Sequence, residues 1–365
     1  MKKHIASILF LFLLSTFQLI AQSHSVKRLG IEQGLSNNYV VSITQDKQGF
    51  LWFATEEGLN KFDGTRFTTY YKNDLTQDNQ GITGNELNRV YADTKHPIIW
   101  IATQRDGLNA YNYNEQTFTA YQHNPENPHS LITNDVTDIA PSTQHDDGLW
   151  ISTYYRGIEY LDITSGQFTH YNKSTVPSLP CDQTWTVLDG GDGNLYIGHV
   201  GSGFSIFSPK DKSVKNFRNE AGNPMSLPGN DVFCIIKDAN GNIWLGTNNG
   251  LALYDAANEN FITFKNNKND KYATLCSRIL SIRPSLIRES GSYLLYIFLS
   301  ESWNYIIPPM PPIPGAPIGI SGLSSFFSTI THSVVRNIPA IEAAFSRATR
   351  VTLAGSTTPA ACRFS

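Results

Sequence analysis

Amide, carboxylate and phenol side chains recur at matching places along this chain. Asn37 and Asn38, Asn85, Asn134 and Asp135, Asp182, and Asn230 and Asp231 each stand just ahead of a short apolar segment. A second set, Gln104, Arg105, Tyr154, Tyr155, Arg156, Asn248 and Asn249, stands in turns that follow similar segments. Amides and carboxylates can hydrogen-bond hydroxyl groups, and a tyrosine offers a flat apolar face to a pyranose ring. The chemistry open to such a set is recognition of a polyhydroxyl ligand. The same Asn and Asp residues also form turns and strand beginnings, so each has a structural reading beside the binding one.

Other chemistry finds less support. No Gly-x-Ser-x-Gly element and no phosphate-cradling loop is present. Carboxylates are many, but none pairs into an acid/base couple by spacing. Asp189-Gly190-Gly191-Asp192-Gly193-Asn194 has the flavour of a calcium loop, yet it lacks the distant Glu, and its counterparts at Asp46 and Asp238 read as hairpin turns. His96, His123, His170 and His199 show no ligand spacing and are expected mostly at the surface. The cysteines, Cys181, Cys234, Cys276 and Cys362, fit no zinc pattern and read as free buried thiols. No metal, cofactor or catalytic residue is expected.

The elements that must position these groups announce themselves by repetition. Leu51-Trp52-Phe53-Ala54-Thr55 up to Gly58 returns as Ile99-Trp100-Ile101-Ala102-Thr103 up to Gly107. It returns again around Trp150 and Gly157, Tyr196 and Gly203, and Trp244 and Gly250. The ring residue falls at 52, 100, 150, 196 and 244, steps of 48, 50, 46 and 48. A period near 50 marks a repeat architecture. Within the first repeat, Val40 to Thr44, Leu51 to Ala54, Leu59 to Phe62 and Phe67 to Tyr70 read as four strands joined by turns. Four antiparallel strands per unit, repeated about an axis, is the plan of an all-β β-propeller. One such sheet has two apolar faces and cannot shield either alone. Stacking blades covers both, with the recurring ring buried between them, so Trp52, Trp100, Trp150, Tyr196, Trp244 and the five glycines read as structural.

Composition agrees. Aromatic residues make up 12% and charged residues 16% of 365 residues, which suits large apolar sheet faces. The net charge of -3 gives no nucleic-acid footprint. Met1 to Ala21 reads as a signal peptide: Lys2 and Lys3, an apolar run from Ile5 to Ile20, then a small residue. A periphery outside the cytoplasm, periplasmic or secreted, is the corresponding expectation. Residues 272–365 lack Lys and Asp but hold half of the eighteen prolines. Ala273 to Ile282 still reads as the start of a sixth blade. Beyond it no Trp-to-Gly copy follows, and the prolines from Pro308 to Pro317 forbid a membrane helix there. The reading is therefore a signal peptide at 1–21, propeller repeats at 24–282 (five full blades plus a partial sixth, an incomplete ring), and a disordered or aberrant tail at 283–365, with the reading frame lost near Arg283. In a blade, the turn between strands two and three shares a face with the linker between blades. The two polar sets of the opening paragraph then ring one mouth of the central channel.

Gln48-Gly49-Phe50-Leu51-Trp52-Phe53-Ala54-Thr55-x-x-Gly58-Leu59-Asn60 and Gly241-Asn242-Ile243-Trp244-Leu245-Gly246-Thr247-x-x-Gly250-Leu251 resemble the two-component regulator propeller repeat. Gly34-Leu35-Ser36-Asn37-Asn38 is similar to the opening of that family's sensors. The resemblance implies an N-terminal periplasmic sensor propeller of a Bacteroidetes hybrid two-component system. It implies an oligosaccharide ligand and, in a full-length parent, a membrane helix, a histidine kinase and possible homodimers. No kinase, receiver or membrane span after the signal peptide is legible here, so this segment is not expected to be an enzyme. A secreted polysaccharide lyase or glycosidase, and a protein-binding scaffold, are the alternatives. In such rings the N-terminal strand commonly completes the last blade, and Val26 to Leu29 aligns with that outer slot. With the host blade absent, one apolar ring edge would stay unpaired, an aggregation hazard.

Overall fold

The structure, a computed structural model, describes residues 29–72, 81–238 and 240–264, together with the backbone of four later strands at 279–284, 295–299, 303–306 and 330–331. The expected signal peptide, Val26 to Arg28 and the rest of the tail lie outside the described residues.

The polypeptide forms four-stranded antiparallel sheets in chain order. Sheet one holds β1 (Val40–Gln45), β2 (Leu51–Thr55), β3 (Gly58–Phe62) and β4 (Phe67–Tyr70). Sheet two holds β5 (Leu87–Ala92), β6 (Ile98–Thr103), β7 (Leu108–Asn112) and β8 (Thr117–Tyr121). Sheet three holds β9 (Val136–Pro141), β10 (Gly148–Thr153), β11 (Gly157–Asp162) and β12 (Gln167–Tyr171). Sheet four holds β13 (Thr184–Asp189), β14 (Leu195–His199), β15 (Phe204–Ser208) and β16 (Ser213–Phe217). Sheet five holds β17 (Val232–Lys237), β18 (Ile243–Thr247), β19 (Gly250–Asp255) and β20 (Asn260–Phe264). The strands read from the first repeat lie within one residue of their observed bounds. The boundary expected after residue 282 falls inside β21 (Ile279–Pro284). There the backbone pairs on through β22 (Leu295–Leu299), β23 (Trp303–Ile306) and β24 (Ile330–Thr331).

The sheets are blades of a β-propeller. Each first strand packs beside the next one: β1 on β5, β5 on β9, β9 on β13, β13 on β17 and β17 on β21. Burial explains the stacking. The ring face of one blade meets the aliphatic face of the next. Trp52 and Leu59 pack with Leu87, Ile99 and Ile101; Trp100 and Leu108 with Val136, Leu149 and Ile151. Trp150 packs with Val187, Leu195 and Ile197, and Tyr196 with Val232, Ile243 and Leu245. Trp52 and Trp100 are fully buried, and Trp150, Tyr196 and Trp244 nearly so. Each such ring contributes roughly 2–3 kcal/mol by leaving water. The linker leucines Leu131, Leu179 and Leu227 are buried as well.

The face of sheet one turned away from sheet two is covered too. Leu29 and Leu35 fold over Leu51, Phe53 and Phe62, around a 3-10 turn at Ile31–Gln33, so these apolar groups do not form the open edge expected from a missing last blade.

Candidate functional site

The blades are stitched together at one end by a repeated main-chain device. The amide of Gly58 donates to the Asn85 carbonyl, and the next carbonyl, Glu86, accepts from Gln104 of the following blade. Asn134 and Asp135 serve Gly107 and Tyr154 in the same way; Asp182 and Gln183 serve Gly157 and Val200; Asn230 and Asp231 serve Gly203 and Asn248. The glycines are required twice over. Their φ angles are positive, and a Cβ at Gly58, Gly107, Gly157 or Gly203 would lie under 3.0 Å from the last carbonyl of its blade's fourth strand. Gly250 shares the positive φ.

This device assigns four of the candidate residues. Side-chain Oδ1 of Asn85 accepts from the Lys72 amide at 2.6 Å, Asn134 from His123 at 2.7 Å, Asp182 from Lys173 at 2.7 Å and Asn230 from Asn219 at 2.8 Å. These oxygens hold the inter-blade linkers. Asn38 Oδ1 likewise accepts from the Ile31 amide at 3.1 Å.

A second regularity sits beside the first. Every first strand carries one extra residue against its partner strand, a β-bulge, between Val40 and Ser42, Leu87 and Arg89, Val136 and Asp138, Thr184 and Thr186, and Val232 and Cys234. Bulges re-aim side chains. The bulged residues are Val41, Asn88, Thr137, Trp185 and Phe233. Asn88 donates to the Val136 carbonyl and Thr137 to the Thr184 carbonyl of the next blade. One residue further in, Arg89 meets Asp138 at 2.8 Å, and Thr186 donates to Asp138 at 2.6 Å. The first strands of blades two to four are thus cross-linked.

In blades three to five the two regularities produce an aromatic arc. Tyr154 lies against Tyr155 with centroids 4.1 Å apart, Tyr154 meets Trp185 edge-on at 5.8 Å, and Trp185 meets Phe233 edge-on at 5.9 Å. Tyr155 is 52% exposed, and Trp185 is half-buried. The hydrogen bond to Tyr154 holds the Tyr155 phenol above the usual tyrosine range, and the nearby Asp135 charge adds to this. Polar groups flank the arc: Asp231 accepts from the Gly201 amide at 2.6 Å and from the Asn248 side chain at 2.9 Å. Asn249 donates to the Pro228 carbonyl. Arg105 and Arg156 are exposed in their turns, and Gln104 is half-buried. Among the expected residues, Tyr154 meets Tyr155 and Asp231 meets Asn248. Trp185 and Phe233, which sequence reasoning missed, belong with them.

Two expectations are corrected. His199 is fully buried rather than at the surface. It fills the slot that Thr55, Thr103, Thr153 and Thr247 hold in blades one, two, three and five. Burial pushes its imidazole down to about 4, against a hydrogen bond to the Gln183 carbonyl. Of the two described cysteines only Cys234 is buried; Cys181 is half-exposed, and neither forms a disulfide. The Asp189–Asn194 segment is the β13–β14 hairpin turn, where Asp189 accepts from Thr143 of blade three and Asp192 from the Tyr196 hydroxyl. Among the described residues, no three His, Cys, Asp or Glu side chains converge to hold a metal ion. No described helix is long and apolar enough to cross a membrane.

Comparison with known proteins places this geometry. The two component regulator propeller family matches residues 34–57 and 226–249, each running from the linker through the first two strands of a blade. The extracellular domain assigned to the hybrid two component system BT3049 of Bacteroides thetaiotaomicron is 60% identical, with a TM-score of 0.65, over 74% of this chain and 34% of that one. A second extracellular domain from that organism, BT4673, shares the fold at 22% identity and a TM-score of 0.58, over 75% of this chain and 37% of its own. Histidine kinase P4 of Formosa agariphila is 42% identical over 66 residues, 18% of this chain and 5% of the kinase. The chain spans about a third of the length of the solved domains it matches. The segments matched in blades one and five are similar to two-component regulator propeller repeats, and the chain resembles that family of sensors.

Proposed function

We propose that this chain is the ligand-reading part of an exported hybrid two-component sensor, and that it binds an oligosaccharide at the channel mouth without altering it. The aromatic arc carries the reading. Tyr155, Tyr154 and Trp185, backed by the buried Phe233, form a run of edge-on rings, with Asp135, Asp231 and Asn248 on neighbouring linkers and turns. A sugar ring has an apolar face for the former and hydroxyl groups for the latter. Kinase activity would belong to a longer parent. So would dimerisation, which would convert occupancy into a signal.

Calorimetry with a panel of neutral and acidic oligosaccharides tests this. The expected result is saturable binding of at least one of them, weakened about tenfold or more by Trp185→Ala, equivalent to about 1.4 kcal/mol. Chromatography of the same mixtures should return the sugars intact. Cleaved products would replace the sensor reading with a lyase or glycosidase.

A further inference from the structure

The repeats act as internal controls for one another, and blade four departs from the others at two touching positions. Where blades one, two, three and five place a threonine at the end of the second strand, this blade has His199. Where the linker carries Gly84, Thr133 or Gly229 ahead of its Asn, this one carries Cys181 ahead of Asp182. The Cys181 Sγ stands 3.5 Å from His199 Nδ1 and 3.5 Å from the Gln183 carbonyl oxygen. The other ring nitrogen, Nε2, is 2.8 Å from the Ser205 hydroxyl, which is itself held by the Asn216 amide at 3.0 Å.

From this cluster we infer that Cys181 and His199 form a binding site for a thiophilic d10 cation such as Zn2+ or Cu+, with the Gln183 carbonyl as a neighbouring oxygen donor. Metal–sulfur and metal–imidazole bonds of about 2.3 and 2.05 Å at a tetrahedral angle put the two ligand atoms about 3.5–3.6 Å apart. The observed separation needs no rearrangement to match. Ser205 and Asn216 supply the outer hydrogen bond that fixes the ring orientation of a metal-binding histidine. The imidazole is buried and stays neutral near pH 7, so one of its two ring nitrogens carries no proton, and Nδ1 is that nitrogen when Nε2–H donates to Ser205. Cys181 is half-exposed, which leaves a route for the ion and room for water in the remaining coordination positions. Coordination replaces the thiol proton by the metal, and that proton passes to solvent. A purely packing role for His199 would be served by the threonine found elsewhere, which also bonds the turn carbonyl.

Cobalt titration of the full chain decides the matter, with Cys234, Cys276 and Cys362 replaced by alanine so that Cys181 is the one thiol. One equivalent of Co2+ should raise a sulfur-to-cobalt charge-transfer band that Zn2+ abolishes by displacement. Cys181→Ser should remove the band, and His199→Thr should weaken Co2+ and Zn2+ affinity at least tenfold. Absence of the band, or its persistence at full affinity in the His199→Thr chain, would overturn the assignment. A circular dichroism spectrum equal to that of the parent chain certifies that each variant has folded.

Discussion

The indole nitrogen of Trp52 donates to Asp46 Oδ2 across 2.8 Å, from the buried end of β2 to the turn that precedes it. The bond recurs from Trp100 to Asp93 at 3.2 Å, from Trp244 to Asp238 at 3.0 Å and, through a phenol, from Tyr196 to Asp192 at 3.1 Å. The other oxygen of Asp46 accepts from the Gln48 and Phe50 amides. One carboxylate therefore fixes both the turn and the large ring that fills the inter-blade space. Blade three has Ser142 at that place, and the Trp150 nitrogen is buried with no partner.

That exception yields a two-way prediction. Asp46→Ala should destabilise the propeller by about 2–3 kcal/mol, because a buried indole donor and two turn amides lose their acceptor. Ser142→Asp should instead stabilise it, by about 1 kcal/mol, by giving Trp150 the bond its counterparts have. Urea unfolding of both variants measures this, and a destabilising Ser142→Asp would mean that the carboxylate cannot reach the ring.

Paired glycines separate backbone conformation from space. Gly107 and Gly222 have φ angles of 88° and 83°, but a Cβ at Gly107 collides with the Tyr121 carbonyl while one at Gly222 meets nothing within 4 Å. Gly222→Ala should cost about 1 kcal/mol, the penalty for a left-handed backbone alone. Gly107→Ala should cost several kcal/mol or prevent folding, since the blade-to-blade bond to Asn134 must also open. Equal thermal shifts in the two variants would contradict the account.

The linker residues should behave as structure and not as ligand contacts. Asn134→Ala removes the acceptor of the His123 amide and should cost about 1 kcal/mol of stability. Oligosaccharide affinity should stay within a factor of two of the parent chain. A tenfold loss of affinity without loss of stability would return Asn134 to the binding surface.

Propeller architecture was legible because its signal is large: a bulky ring and a glycine at constant separation, each with one packing duty per blade. The mouth was only half legible. Asn85, Asn134, Asp182 and Asn230 are of the residue types that bind sugars and also of the types that hold turns, and sequence cannot tell which oxygen is already occupied. The bulge was invisible. Val41, Asn88, Thr137, Trp185 and Phe233 share no chemistry, and only their register against the second strand unites them. A signal for His199 did exist. Alignment of the second strands sets it against four threonines, a contrast that spacing rules for metal ligands do not look for.

His199 also gives the stability a sign in acid. Its folded-state value of about 4 lies below the roughly 6.5 of an unfolded histidine. The unfolded chain therefore gains a proton first as pH falls. The stability that the neutral buried ring contributes is complete above about 6.5 and is lost progressively down to about 4, by up to about 3 kcal/mol. His170 runs the other way. The carboxyl of buried Glu159, 3.3 Å from its Nδ1, raises it, so its stabilisation is complete below the unfolded value and fades as pH rises through the folded one. Comparing variants isolates the first effect. In the presence of a chelator, His199→Thr should lose about 2–3 kcal/mol less than the parent chain between pH 7 and pH 4, read from urea midpoints at each pH. Parallel losses in the two chains would mean that the ring is hydrated and titrates as an ordinary histidine.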